Sequence, residues 1–169
     1  MVEYRLKDKV ALITGMNNPY GIGATTALAL AREGAKLVLV YKRIHRPFDE
    51  NKTDRNGVDR YYAANAGNAD AVESKLREAG SDYILIESDI SNEKAVKDIY
   101  AKAIERFGKV DILVNNAAAD DETGVDTIEK ITPEVIDNTF AVNVRGSLLM
   151  MREMINHRGE YGRIINIST

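Results

Sequence analysis

The sequence predicts an α/β fold, a doubly wound parallel sheet with helices on both faces. Three observations point there. Short apolar runs rich in β-branched residues recur along the chain, segments with helical spacing lie between them, and a cluster of glycines follows the first run directly. The apolar runs span residues 10–13, 37–40, 83–86, 112–114 and 164–167. They are nearly continuous rather than alternating, as expected of strands buried on both faces of a parallel sheet.

The helical segments carry Ile22, Ala27, Leu30 and Ala31 before Gly34, then Val72, Leu76 and Ala79 before Gly80, then Val96, Ile99, Ala103 and Phe107 before Gly108. A glycine just past the last apolar position is the usual left-handed helix stop. Thr132-Pro133-Glu134 reads as an N-cap, a first-turn proline and an acidic residue at the positive helix end. It opens a long helix through Val144, Leu148 and Met151, with Leu149, Met150 and Met154 expected on an exposed mixed face. Strand and helix therefore alternate from β to β, and right-handed crossovers place helices on both sides of an open sheet. Residues 42–68 interrupt the rhythm as a polar connection longer than such connections usually are, and read as an insertion. An acidic stretch, Asp120, Asp121, Glu122, Asp126 and Glu129, reads as a solvated loop.

Composition bounds the function. The chain has 169 residues with 44% hydrophobic content, enough for one domain with a packed core. Lys and Arg number 23 against 26 Asp and Glu, a formal charge of -3, which argues against a nucleic-acid partner. The sequence holds no cysteine, which excludes a thiolate nucleophile or thiolate zinc site. No apolar run nears the ~18 residues of a membrane span, so neither a membrane partner nor export is expected and the cytoplasm is the default location. His45 and His157 are too few for a metal site.

The glycine cluster carries the chemistry. The first strand runs into Thr14-Gly15-Met16-Asn17-Asn18-Pro19-Tyr20-Gly21-Ile22-Gly23, where a helix begins. Glycines let the backbone turn sharply and bring N–H groups against an anion at the helix N-terminus. A P-loop nucleotidase is excluded, because no Gly-Lys-Ser/Thr closes the loop.

Thr14-Gly15 with Gly21-Ile22-Gly23 resembles the Thr-Gly-x-x-x-Gly-x-Gly loop of the short-chain dehydrogenase/reductase family. Val114-Asn115-Asn116-Ala117-Ala118 is similar to that family's Asn-Asn-Ala-Gly, with Ala118 in place of the glycine. Asp89-Ile90, Asn143-Val144-Arg145-Gly146 and the strand ending at Ser168-Thr169 follow in the family's order. The chain is thereby identified as the N-terminal, cofactor-binding part of a member, resembling 3-oxoacyl-ACP-reductase-like proteins. The resemblance implies a Rossmann sheet of order 3-2-1-4-5, truncated after the fifth strand, with residues 1–169 as a single dinucleotide-binding domain. It implies an NAD(P)-dependent oxidoreductase that moves a hydride between the nicotinamide and a small carbonyl or alcohol substrate, working as a homo-oligomer, dimer or tetramer.

Residue by residue, the resemblance implies cofactor contacts from Thr14, Gly15, Gly21, Ile22 and Gly23, from Asp89 and Ile90 at the adenine, and from Asn115 and Ala117. Asn115 in particular is expected to bind backbone across the sheet. The loop carries five residues between Gly15 and Gly21, more than the family pattern, and Asn17 and Asn18 join the candidates there. Asn143 is implied as holder of a water in the proton relay, and Ser168 or Thr169 as the hydroxyl that orients the substrate oxygen. The discriminating acid about 20 residues past the loop is replaced by Tyr41, followed by Lys42 and Arg43, cations suited to a 2′-phosphate. NADP is therefore preferred over NAD, with Arg46, Arg55 and Arg60 as further helpers. The family's Tyr-x-x-x-Lys acid/base pair is begun by none of the eight tyrosines. The chain on its own is expected to be inactive, the pair coming from further sequence. The alternative is a truncated dinucleotide-binding module without catalytic activity.

Overall fold

The structure, a computed structural model, describes residues 4–119 and 127–168. Five strands form one parallel sheet: β1 (Val10–Thr14), β2 (Lys36–Tyr41), β3 (Tyr83–Glu87), β4 (Ile112–Asn115) and β5 (Arg163–Asn166), in the order β3-β2-β1-β4-β5. Every pairing is parallel, with Leu12 opposite Val38 and Leu113, and Asn115 opposite Asn166. The sheet order reverses its direction of growth at β1 and β4, the switch point at which open α/β sheets hold ligands.

Alternation along the strands divides the core in two. Val10, Leu12, Val38 and Val40 face α4 (Glu93–Phe107) and α6 (Ser147–His157), packing with Val96, Ile99 and Tyr100. Ala11, Ile13, Leu37 and Leu39 face α1 (Ile22–Arg32) and α3 (Asp70–Glu78), packing with Ala24, Ala27, Val72 and Leu76. The alanines of α1 keep its side chains short where the helix lies on the sheet. β1 is buried along its whole length, whereas β5, an outer strand, is exposed at each residue. The expectation of burial on both faces thus holds for the central strands and fails for β5, whose Ile164 and Ile165 lie open.

The glycine stops are observed: Gly34, Gly80 and Gly108 follow their helices with φ of 79°, 63° and 77°. The Thr132 hydroxyl accepts from the Val135 amide and caps α5 (Pro133–Thr139).

Two expectations about the helices are corrected. Strand and helix do not simply alternate, because α2 (Val58–Ala66) precedes α3 between β2 and β3. It sits inside the 42–68 segment and contributes no buried residue, so the segment lacks the apolar stripe that announces a helix. The run from Pro133 to His157 is not one regular helix either, since the stretch Phe140–Gly146 between α5 and α6 is π-helical. Widening the coil there rotates everything that follows. Met150 and Met154, expected on an exposed face, are fully buried against β4 and α4, while Leu149 is partly buried. The exposed large apolar residues of the run are Ile136, Phe140, Val144, Leu148 and Ile155.

Tyr100 joins the two helices of that face. It is fully buried, and its hydroxyl donates to the Met150 carbonyl at 2.8 Å. Burial first, and then the Glu153 carboxylate, push the phenol well above its ordinary range, so it stays a neutral donor. Tyr100→Phe is expected to cost about 1 kcal/mol in urea unfolding, with no change in ligand binding.

Candidate dinucleotide site

A cleft of about 600 Å³ opens at the carboxyl ends of β1, β2 and β4. Thr14, Gly15 and Ala117 form part of its floor, Asn17, Tyr20 and Gly21 come from the loop after β1, and Ser88, Asp89 and Ile90 from the end of β3. The parallel register brings these together: every strand of a parallel sheet ends at the same edge, so the loops leaving them converge.

Thr14 is the joint of the floor. Fully buried, its hydroxyl accepts from the amides of Asn116 and Ala117, both at 3.0 Å, and donates to the Val114 carbonyl at 3.4 Å. Gly15 has a φ of 72°, and a Cβ there would lie 2.7 Å from the Ala117 Cα. Gly23 is tighter, with a Cβ falling 2.4 Å from the Gly15 carbonyl oxygen. Gly21 caps α1 without a side-chain hydrogen bond, and Gly21 and Ile22 line the cleft. The first-turn N–H groups of a helix have no intrahelical acceptor, and with no side chain satisfying them the α1 N-terminus suits an anion.

Of the two asparagines at the end of β4, it is the second that takes the role the resemblance implied for the first. Asn115, expected to bind across the sheet and to touch a cofactor, is 4% exposed and lies outside the cleft lining. Its amide donates to the Asn166 side chain at 2.9 Å and the Ser147 carbonyl at 3.4 Å. Asn115 ends the strand and takes the alternate face that packs toward α6, whereas Asn116 turns toward β1. The cross-sheet bonds therefore come from Asn116, whose amide donates to the Thr14 carbonyl at 2.9 Å and the Gly15 carbonyl at 2.8 Å. Asn116 was missed as a site residue, and strand alternation was the signal that could have found it.

Asn17 and Asn18 line the cleft, yet their side chains are already engaged. Asn17 donates to the carbonyls of Asn65 and Gly67 at 3.0 and 3.1 Å, and Asn18 donates to the Asn65 side chain at 3.4 Å. The longer loop thus grips the inserted segment. Tyr41, Lys42 and Arg43 line the cleft at the end of β2. Lys42 is paired with Asp89 at 2.5 Å and Arg43 with Glu87 at 2.8 Å. Burial alone would raise the Asp89 carboxyl, but hydrogen bonds from Lys42 and from the Ser91 hydroxyl and amide outweigh it and hold the group below its usual range. Burial, with Glu87 adding to it, raises the Tyr41 phenol.

Asn143 lies in the π-helical stretch, exposed, and its side chain clamps the backbone of Ala119, accepting from the amide at 2.7 Å and donating to the carbonyl at 3.5 Å. Ala119 in turn lines the cleft. Ser168 is exposed just beyond β5. Thr169 lies outside the described residues, as do Asp120, Asp121, Glu122 and Asp126 of the acidic stretch. No helix among the described residues is long and apolar enough to cross a membrane.

A parallel sheet of this order with a glycine loop at its switch point defines a dinucleotide-binding type of α/β protein. The short chain dehydrogenase family model matches residues 53–169, and the chain belongs to that family. It is 34% identical over 98% of its length to a versicolorin reductase of Emericella nidulans, covering 53% of that protein. It is likewise 34% identical over 98% of its length to an uncharacterized oxidoreductase of Methylorubrum extorquens, covering 56% of it. Among solved structures, a short-chain dehydrogenase/reductase from Serratia marcescens superposes with a TM-score of 0.75 at 30% identity, over 98% of this chain and 57% of that one. A short chain dehydrogenase from Burkholderia cenocepacia, crystallised with NADP, gives a TM-score of 0.74 at 31% identity, over 96% of this chain and 56% of that one. The chain spans about half the length of the curated relatives it matches.

Proposed function

We propose that residues 1–169 form one dinucleotide-binding domain of an NAD(P)-dependent oxidoreductase, which in the whole protein transfers a hydride between the nicotinamide and a carbonyl or alcohol substrate. The observation that carries this reading is the glycine loop closing on β4, with Gly15, Gly23 and Asn116 in mutual contact beneath a cleft at the switch point. The α1 N-terminus would take the pyrophosphate, Asp89 and Ile90 would border the adenine, and Ala117 would lie under the nicotinamide ribose. Bound there, the dinucleotide supplies the hydride. Asn143, by clamping Ala119, would fix the floor beside the ring and hold a water for proton transfer, and Ser168 or Thr169 would orient the substrate oxygen.

NADP is the preferred cofactor in this reading. Arg43 and Lys42 supply positive charge beside the site of a ribose 2′ substituent, and the Burkholderia cenocepacia relative was crystallised with NADP. Their carboxylate partners, Glu87 and Asp89, reduce but do not abolish that attraction, because both pairs are substantially exposed. Calorimetric titration of the chain with NADPH and NADH tests the point. NADPH is expected to bind more tightly, and Arg43→Ala to weaken NADPH on the order of tenfold while leaving NADH almost unchanged. Equal affinities that Arg43→Ala does not alter would remove the preference. The 169-residue chain is further expected to bind NADPH without oxidising it against a panel of carbonyl compounds, since it holds no Tyr-x-x-x-Lys pair. The face of Phe140, Val144 and Leu148 is the natural place for a homo-oligomer contact.

A further inference from the structure

Residues 42–68 do more than join β2 to α3. Asn65 ties three parts of the molecule together: its carbonyl accepts from the Asn17 side chain and from the Ile44 amide, both at 3.0 Å, and its side chain accepts from Asn18 at 3.4 Å. Beside it the Arg60 guanidinium lies 3.8 Å from the centre of the Tyr20 ring. Arg60 is steadied by the Asn56 side chain, just ahead of its helix, at 3.0 Å, and the helix start is braced where the Asp59 carboxylate accepts from the Asp49 amide at 2.9 Å. Tyr20 is 65% exposed and still lines the cleft, so its ring is held by Arg60 rather than by burial. Ile44, His45, Tyr61 and Asn65 of the same segment also line the cleft.

We propose that residues 42–68 are a second wall of the cleft on its adenosine side, and that Arg60, stacked on Tyr20, is a positioning residue that latches this wall to the glycine loop. The inference rests on the dinucleotide reading above. The adenosine side is assigned because the segment leaves the end of β2, where the ribose of the adenosine half is recognised in folds of this type. A latch made of one exposed ring and one cation closes only when both members are present. It is weak enough to open for ligand entry, since an exposed cation–π contact corresponds to a factor of about two to five in an equilibrium.

The test is calorimetric titration of the full chain with NADPH, and with ADP as the adenosine-side probe, in the unaltered protein and in Arg60→Ala, Tyr20→Ala, the double variant and Tyr20→Phe. Each alanine variant is expected to weaken both ligands about two- to fivefold, and the double variant no more than either single one. Tyr20→Phe, which keeps the ring, should bind within about twofold of the unaltered chain. Melting temperatures without ligand should stay within about 2 °C, because both residues are at the surface. Unchanged affinities in the alanine variants, or losses that multiply in the double variant, would overturn the latch while leaving dinucleotide binding intact. Failure of the unaltered chain to bind NADPH at all would overturn both.

Discussion

Gly23→Ala is expected to weaken dinucleotide binding severely and to destabilise the fold. A single methyl group decides this, because the new Cβ would sit 2.4 Å from the Gly15 carbonyl oxygen and 2.6 Å from the Asn116 amide nitrogen. Neither neighbour is free to give way. The oxygen belongs to a backbone turn with φ of 72°, and the amide nitrogen is fixed by its two bonds to the Thr14 and Gly15 carbonyls. Relief therefore requires α1 to back away from β1, or Asn116 to release its carbonyls. Overpacking of this kind costs about 1–3 kcal/mol. The first movement displaces the first turn of α1 from the floor of the cleft and the second frees the loop that forms that floor, and an affinity loss of about a hundredfold for NADPH follows from roughly 2.7 kcal/mol of lost contact. Urea unfolding and calorimetric titration measure the two effects separately. A variant that melts and binds like the unaltered chain would show that the close packing of α1 on the loop is not what builds the site.

Thr14→Val should damage the same joint from the other side. Valine fits the space, since it replaces a hydroxyl by a methyl of similar size, but the amides of Asn116 and Ala117 lose their common acceptor. Stranding a buried N–H costs about 1–3 kcal/mol, and with two amides sharing one oxygen the expected loss is about 2–4 kcal/mol. That is a large part of the roughly 5–15 kcal/mol that holds a typical domain together. Thr14→Ser keeps the oxygen and should lose about 1 kcal/mol at most. A valine variant as stable as the serine one would contradict the hydrogen-bond account, and chemical denaturation of the pair decides it.

Much of this was legible in the chain. The central strands announced themselves because burial on both faces demands unbroken apolar runs, and the glycines at 34, 80 and 108 marked helix ends because only a left-handed backbone satisfies them there. Order 3-2-1-4-5 came from the family resemblance, and the sheet has it. What escaped was whatever depends on partners distant in sequence. α2 buries nothing, so no periodicity advertised it, and its position is set by Asn17 and Asn18 of the loop after β1, distant in sequence. The π-helical stretch is a change of coil width that composition does not encode, and it carries Met150 and Met154 inward where regular continuation suggested an open face. Asn115 and Asn116 are chemically identical. Only their alternate faces at the end of β4 separate a buried strap to β5 from the amide that holds the glycine loop.

The loop from Thr14 to Gly23 is proposed to hold the pyrophosphate of a nicotinamide dinucleotide. A crystal structure of the chain grown with NADPH tests it most directly. The expected density places the pyrophosphate against the backbone at Gly21, Ile22 and Gly23, with the adenine beside Asp89 and Ile90 and the Tyr20–Arg60 stack over the adenosine side. An ordered dinucleotide bound elsewhere, or a cleft empty at saturating NADPH, would contradict it.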